Sequence, residues 1–462
     1  MSTESERALL AGRYVAETHR RSHPDDVIDA ARLCLADWVA VALGAEDEDA
    51  GRIVRETTGR WGSAGNATVI FAGTAAPAVA ALANGTLAHC LDFDDTYIPA
   101  ITHTSAPVWS TVLAIGEHHG ADEWDMLRSF VAGFEVVARL GQGLGQELTA
   151  RGLHSTGVFG RIGSAAAAAA LLRLDASCAA HALATAATQA SGLTASFGTM
   201  AKPFHAGKAA MDGVLAAELA RSGFVAAPAT LSPGGLDKAL IQDGARSFSP
   251  LDFTGWQILN NSFKPYAACH LVHPAVDAAR ALFAGGADIR RVRARVSPLA
   301  MQITGGASGR PATPLAAKFD LRYCIGLGLA GQPVSAADFA EPWRPLPAAL
   351  EAARRVDVAA DATMGFAAAA LDVEFGDGRK ETLRVEPAKG HPGNPMRWAD
   401  MWPKFEALAA PVLAGDTSKL FEIIRTFAAG GSLAGLTAML RTAGKDPTSR
   451  RARAQAAAAA SG

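Results

Sequence analysis

The chain has 462 residues, enough for one large domain or two ordinary ones, with 49% hydrophobic and 19% charged residues and a formal net charge of −2. A balance so close to neutral, with no Lys/Arg tract in any window, excludes nucleic acid or an anionic membrane surface as an electrostatic target. Five cysteines (Cys34, Cys90, Cys178, Cys269, Cys324) lie far apart and never in CxxC spacing, which excludes a disulfide framework or structural zinc.

The opening stretch MSTESERALLAGRYV carries acids and no continuous apolar run, so no secretory leader is read there and a reducing, cytoplasmic location is expected. His23-Pro24-Asp25 opens a helix in which Val27, Ala31, Cys34, Leu35, Trp38 and Ala42 share one face and Gly44 ends the run. Two more helices are expected over 104–118 and 123–140. Gly163-Ser164 leads into six alanines, and Ala-rich helices follow at 179–190 and 208–221. Alanine favours the helix and lets helix axes approach closely, so this half reads as a tightly packed all-helical body. The charge-free stretch CAAHALATAATQASGLTASFGTMA is full of Thr, Ser, Gln and Gly and reads as buried helix and loop, not as a membrane span.

The pattern changes after about residue 285. VRARVS (292–297), RRVDVAAD (354–361) and LDVEFGDGRKETLRVEP (371–387) alternate in the manner of strands, the last with a hairpin turn at 376–379. They surround the helical patterns KFDLRYCIGLGLAG and SAADFA. Helical periodicity returns from Trp398 to about Leu440. The expected architecture is mainly α: a large all-helical domain (1–268 and 395–443) with an inserted smaller α+β lid (269–394) and a disordered tail (444–462). Clefts between domains favour small-molecule sites, so polar residues near 261–279 become candidates.

The densest chemistry lies in CLDFDDTYIPAITHTSAP, residues 90–107. Asp92-Phe93-Asp94-Asp95-Thr96 matches the DxDxT string of phosphatases whose first Asp attacks phosphorus. That reaction needs the string at the end of a buried parallel strand, and ANGTLAHCL before it has helical composition. No HExxH, EF-hand or 2-His-carboxylate spacing is present, so no metal is expected. Asp94 or Asp95 reads as a turn or helix cap; if 88–96 stays helical, Asp92, Asp95 and Thr96 share a face. His103 sits in a Ser/Thr/Pro loop. His154 precedes Ser155-Thr156-Gly157 at the mouth of a helix, where unpaired N–H groups suit a carboxylate. Lys202, His205 and Lys208 cluster in GTMAKPFHAGKAAMDG, with Lys202 expected in a loop between two helices. Lys264 stands beside Pro265 with Cys269, His270 and His273 shortly after, and Tyr323 adjoins Arg322 on a helix of the lid. The glycines of LGQGLGQ lack the spacing and preceding strand of a dinucleotide site.

Together NGTLAHCLDFDDT, HTSAP, RGLHSTGVFGRIGSAAAAA, ATQASGL, GTMAKPFHAGKAA, FKPYAACHLVHPAVDAA, AKFDLRYC and GHPGNP resemble the 2-methylcitrate dehydratase and cis-aconitate decarboxylase family, MmgE/PrpD, along nearly the whole chain. The resemblance implies a helical domain plus an α+β lid, a homodimer, no metal or organic cofactor, and a small polycarboxylate substrate. It implies pocket residues Asp92, Thr96, His103, His154, Lys202, Lys264 and Tyr323. His103, His154, Asp92 and Tyr323 are expected to be catalytic, with Lys202, Lys264, Thr96, His205, Cys269 and His270 in substrate binding. Cys269 stands where decarboxylase-like members carry histidine five positions after the lysine, with His270 next to it. The expected activity is a cofactor-independent lyase of a di- or tricarboxylic acid, dehydration ahead of decarboxylation. Alternatives are an epimerase of a dicarboxylate such as iminodisuccinate, a DxDxT phosphatase and a non-catalytic binding protein.

Overall fold

The computed structural model describes residues 6–232, 234–241, 251–283, 285, 288–340 and 347–444. The expected disordered tail from 445 onward lies outside them. Two compact units emerge, one from 1–261 together with 401–462, the other from 262–400. The fold is mainly α, as composition and periodicity predict.

In the first unit Asp25 and Asp26 occupy the first turn of the helix Asp25–Gly44, where negative charge complements the helix dipole, and Asp26 accepts the Val27 N–H at 2.9 Å. The helices Ser105–His119, Glu123–Gly141 and Ala176–Ala187 follow, the last two capped by Asp122 and Asp175. Ser155–Leu171 is buried along its whole length and packs against all three and against Ala201–Arg221. Its alanines permit this: a core helix surrounded on every side has room only for small side chains. Large residues fill the periphery of that contact, with Trp109 stacked on Phe130 at 4.5 Å and 15°.

Three expectations are corrected. The body is not wholly helical: β1 (Ala67–Val69) and β2 (Gly73–Ala75) form an antiparallel pair, fixed by Asn84, which accepts the Ile70 N–H at 3.0 Å and donates to the Thr68 carbonyl at 2.8 Å. The helix Pro77–Leu87 stops before the acidic string, and Asp92 adopts φ 53, which an α-helix does not accommodate; Asp92, Asp95 and Thr96 therefore share no helical face. Lys202 is not in a loop but in the first turn of Ala201–Arg221, because Pro203 is tolerated there, where its missing N–H has no intrahelical acceptor.

The second unit carries a four-stranded sheet in the order β4-β3-β5-β6, from β3 (Ile289–Val296), β4 (Val356–Ala360), β5 (Ala369–Phe375) and β6 (Lys380–Val385). β3 pairs in parallel with β4 and antiparallel with β5, and the β5–β6 hairpin turns at 376–379 as the sequence predicts. Val292, Ala294 and Val296 point inward from β3 while arginines alternate with them. The helices His273–Ala281 and Leu321–Leu329 complete the layer. The returning helices Trp398–Leu413, Thr417–Arg425 and Leu433–Thr442 belong, from 401 on, to the first unit. No helix among the described residues is long and apolar enough to cross a membrane. All five cysteines are free thiols.

Candidate active site

The turn after Pro77–Leu87 folds the acidic string under two histidines. His89 Nδ1 lies 2.8 Å from Asp94 Oδ2, both side chains fully buried. His103 approaches the same Asp94 carboxylate with Nδ1 at 3.5 Å and points Nε2 toward Asp92 Oδ1 at 3.7 Å. The Lys202 ammonium meets Asp92 Oδ1 at 2.5 Å and sits 5.4 Å above the Phe197 ring. The imidazoles continue the cluster: His89 lies 4.6 Å from His103 and 5.7 Å from His154, ring centre to ring centre. His154 Nδ1 is 3.1 Å from His205 Nδ1. The His103 N–H donates to Thr156 Oγ1 at 3.0 Å, which ties the loop holding one histidine to the helix that follows the other.

Backbone geometry fixes these positions. Asp92 at φ 53 and Ile101 at φ 48 both occupy the left-handed region, and for a β-branched isoleucine that costs roughly 1–3 kcal/mol. Strain at these two positions persists only where the surroundings over-determine it. The Asp95 side chain supplies one restraint: it accepts from Ser105 N, from Ser105 Oγ at 2.6 Å and from Asn261 Nδ2 at 2.6 Å. Asp37 accepts the Asp95 N–H at 2.9 Å. Lys404, from the returning helix, donates to Asp37 at 2.5 Å and to the Phe93 carbonyl at 2.7 Å. Gly192, at φ 119, brings its carbonyl to the His154 N–H at 3.0 Å; a Cβ there would stand 3.3 Å from the His205 ring.

The electrostatics follow from burial. His154, 4% exposed, is held well below its ordinary value by desolvation and then by His89, Lys202 and His205, against the pull of Asp92. Half-burial followed by Arg161 and Lys202 lowers His205. Burial raises Asp37, with Lys404 opposing, and pushes Asp95 up to about 7 with the help of Asp37. The hydroxyls of Thr96, Thr104 and Ser155 are buried with no hydrogen-bond partner among the described residues. Unmade bonds of this kind are costly, and ligand oxygens beside His103 and His154 would satisfy them.

Ligand atoms of His89, Asp92, Asp94 and His103 lie within 4.8 Å of one another, a spread that a cation could bridge. The same residues already serve the His89–Asp94 bond and the Lys202–Asp92 pair, so a cation would compete with an imidazole and an ammonium for these carboxylates. The donor set fits proton transfer better than metal binding.

Of the expected residues, Asp92, His103, His154, Lys202 and His205 come together, with Thr96 in the same segment. Asp92 pairs with Lys202 at 2.5 Å, and His103 lies 3.5 Å from Asp94 against 3.7 Å from Asp92. Lys264, Cys269, His270 and Tyr323 belong to the second unit. There Lys264 is 2% exposed, and Cys269 donates its backbone N–H to the Lys318 carbonyl. His270 opens a short 3-10 turn with its ring 4.8 Å from that of His273. The Tyr323 hydroxyl donates to the Asp338 carbonyl at 3.0 Å, and burial pushes the phenol up to about 12. The DxDxT reading fails on context: the string follows a helix and a turn, and the parallel strand pair found lies in the second unit. Sequence reasoning missed His89, Asp37 and Lys404. His89 lay in view five positions before Asp94, disguised as a lone polar residue in an apolar run.

This arrangement gathers imidazoles and an ammonium around buried carboxylates in the helical unit, groups whose chemistry suits acid–base transfer. Residues 10–245 match the MmgE/PrpD N-terminal domain and residues 266–428 the MmgE/PrpD C-terminal domain, and the chain belongs to the MmgE/PrpD family. It is 27% identical over 434 residues to the cis-aconitate decarboxylase of Aspergillus terreus, covering 87% of this chain and 88% of that protein. It is 38% identical over 153 residues to the human cis-aconitate decarboxylase, 32% of this chain and 31% of that protein, and 33% identical over 215 residues to the mouse protein, 45% and 44%. These relatives support a lyase of this family.

Proposed function

We propose that this protein is a lyase that removes CO2 from a small unsaturated polycarboxylate, with His103 and His154 as the proton-handling groups and Lys202 as a carboxylate partner. The observation that carries the reading is the Lys202–Asp92 pair beside the two histidines, which offers an exchangeable cation next to two imidazoles, one of them held well below its ordinary value by burial. A substrate carboxylate would take over the Lys202 ammonium, and the unpartnered hydroxyls of Thr96 and Ser155 would receive its oxygens. Fixed positive charge near the reacting carbon stabilises the carbanion left by CO2 loss. Relatives named as decarboxylases support CO2 loss over the dehydration that the sequence alone favours. On family likeness, Lys264 and Tyr323 are proposed to contribute to substrate binding and the protein to act as a homodimer.

Cys269 supports a second reading, proton exchange or dehydration, because the family resemblance implies an imidazole in decarboxylase-like members where this chain has a thiol. NMR of the purified protein in D2O with cis-aconitate, citrate, 2-methylcitrate and iminodisuccinate separates them. CO2 loss places deuterium on a product carbon, dehydration creates a vinyl signal, and epimerisation exchanges only the α-proton. No change with any of the four would sink the lyase reading.

A further inference from the structure

A charged side chain binds best when its backbone is already fixed, because ordering it at the moment of binding costs affinity. Residues 263–269, which carry Lys264, belong to no helix or strand, yet Phe263, Lys264 and Tyr266 are each at most 9% exposed. A buried segment without regular structure has to find its hydrogen bonds and its restraints in other parts of the chain. The loop KGHPGNP, residues 389–395, supplies them.

We propose that Gly390 and Asp277 are positioning residues for Lys264. Together they clamp the backbone on both sides of it, so that a substrate carboxylate meets an ammonium already in place. The inference rests on the reading of Lys264 as a substrate-binding residue. Phe263 donates its N–H to the Gly390 carbonyl at 3.0 Å. A Cβ at position 390 would run into the Phe263 carbonyl oxygen and stand 3.3 Å from Pro265 Cδ, so the glycine packs against the residues immediately before and after Lys264. Gly390 also adopts φ 89, where a side chain is strained as well as crowded. Asp277 makes the second attachment. Its Oδ1 accepts the Tyr266 hydroxyl at 2.6 Å and its Oδ2 accepts the Lys389 N–H at 2.7 Å. One carboxylate thereby joins the chain just after Lys264 to the residue just before Gly390.

The loop that does the clamping is itself held. The Gly390 N–H donates to the Asn394 carbonyl at 2.9 Å and the Asn394 N–H to the His391 carbonyl at 2.8 Å, which closes the loop on itself. The Lys389 ammonium reaches Asp400 at 2.8 Å and the Pro395 carbonyl at 3.1 Å. Ala388 donates to the Ala367 carbonyl at 3.1 Å, next to β5, and Asp277 lies on the helix His273–Ala281. The clamp is therefore grounded in the sheet and a helix of the second unit, as a precisely placed binding group requires.

The test is a double-mutant cycle on the full-length protein. Calorimetry reads the dissociation constant of propane-1,2,3-tricarboxylate, a polyanion with no hydroxyl to lose and no double bond, so the cycle does not depend on the reaction type. Lys264→Met weakens binding about 10- to 150-fold, the scale of one charge-assisted contact. Gly390→Ala, which displaces Lys264 without removing it, weakens binding about tenfold, and Tyr266→Phe, which frees one end of the Asp277 bridge, about threefold. In the Lys264→Met background each costs less than about twofold, because the residue they position is gone. Equal losses in both backgrounds overturn the clamp, since a general structural role does not depend on Lys264. Unchanged binding in both single variants overturns it as well. Should Gly390→Ala not fold, Tyr266→Phe, smaller by one oxygen, decides the cycle alone. Lys264→Met judges the underlying reading by itself: wild-type affinity there removes Lys264 from the binding site and the clamp with it. A weakened Lys264→Met with additive losses removes the clamp only.

Discussion

Replacing Lys404 with methionine is the most direct test of how the acidic turn is held. The Lys404 ammonium touches Asp37 at 2.5 Å, the Phe93 carbonyl at 2.7 Å and the Phe93 ring at 4.0 Å, with both side chains of the ion pair at most 2% exposed. Methionine fills a similar volume but leaves Asp37 a buried carboxylate without its cation, a loss of about 3–5 kcal/mol. Spread over a cooperative unit of roughly 300 residues at ~2.1 cal/mol/K each, that lowers Tm by about 5–8 °C near pH 8. The deficit is pH-dependent with a definite sign. Asp37 and Asp95 both have folded carboxyl groups shifted upward, so their contribution is full below the unfolded value of 3.8 and fades as pH rises through the folded values, about 7 for Asp95. Without Lys404 the Asp37 carboxyl rises further, takes a proton sooner, and the gap to wild type narrows toward pH 5. Differential scanning fluorimetry at both pH values measures it. The double variant Asp37→Leu/Lys404→Met recovers part of the loss: it removes the uncompensated buried charge, while the Asp95 N–H and the Phe93 carbonyl still lose the partners that Asp37 and Lys404 gave them. An equal Tm drop at both pH values, or strictly additive losses in the double variant, would refute the reasoning.

Other expectations concern catalysis and packing. Lys202→Met removes one charge-assisted carboxylate contact of about 1.5–3 kcal/mol and raises KM by roughly 10- to 150-fold, read from initial rates; an unchanged KM would remove Lys202 from the binding site. If protonated His154 is the acid, kcat/KM, which reports the free enzyme with its depressed imidazole, falls with rising pH from below 6.5, while kcat holds its plateau to higher pH because the bound polyanion raises the same group. Coincident pH profiles would contradict this assignment. Gly207→Ala places a Cβ 2.3 Å from the Leu82 carbonyl oxygen and 2.2 Å from Thr86 Oγ1, forcing apart the helices Pro77–Leu87 and Ala201–Arg221. A destabilisation of about 1–3 kcal/mol is expected, larger than the helix-propensity gain of about 1 kcal/mol, and a neutral Tm would show that the contact yields.

Much of this was readable in the sequence because it is local. Pro24 followed by acids marks a helix start, the six alanines mark a buried helix, and Gly376-Asp377-Gly378-Arg379 marks a hairpin, each by short-range chemistry. The candidates in DFDDT, HTSAP, GLHST and MAKPFH stood out as polar residues in apolar surroundings. What escaped was long-range. Lys404 lies 367 residues from Asp37, and nothing near either residue announces the pair. His89 looked like a helix-face residue because the pattern does not reveal that the chain turns at Leu87 and folds Asp94 back beneath it. The helix mouth at Ser155 was read correctly from its Ser/Thr segment, but the start at 201 instead of 208 was missed for a related reason: Pro203 and Gly207 in AKPFHAG read as loop punctuation. Close packing of neighbouring helices turns the glycines to use, and the first turn tolerates the proline.

The cluster's charge poses a last question, since it is meant to receive an anion. Within the first unit, Asp92 and Asp94 against Lys202 leave one net negative charge while the imidazoles are neutral, and burial holds His154 neutral. A polycarboxylate meets repulsion from these groups unless protons enter with it or Lys264, proposed above as a binding residue, offsets the charge. Where protons enter, linkage requires that binding raise the imidazole pKa values and that low pH tighten binding by the same factor. Calorimetric titration of a non-reacting polycarboxylate in two buffers of different ionisation enthalpy reads the protons taken up, and about one per bound anion is expected near pH 7.5. The affinity should fall as pH rises from 6.5 to 8.5. Binding with no proton uptake and no pH dependence would mean that the anion's charge is met elsewhere, and that the histidines around Asp94 serve the fold rather than the ligand.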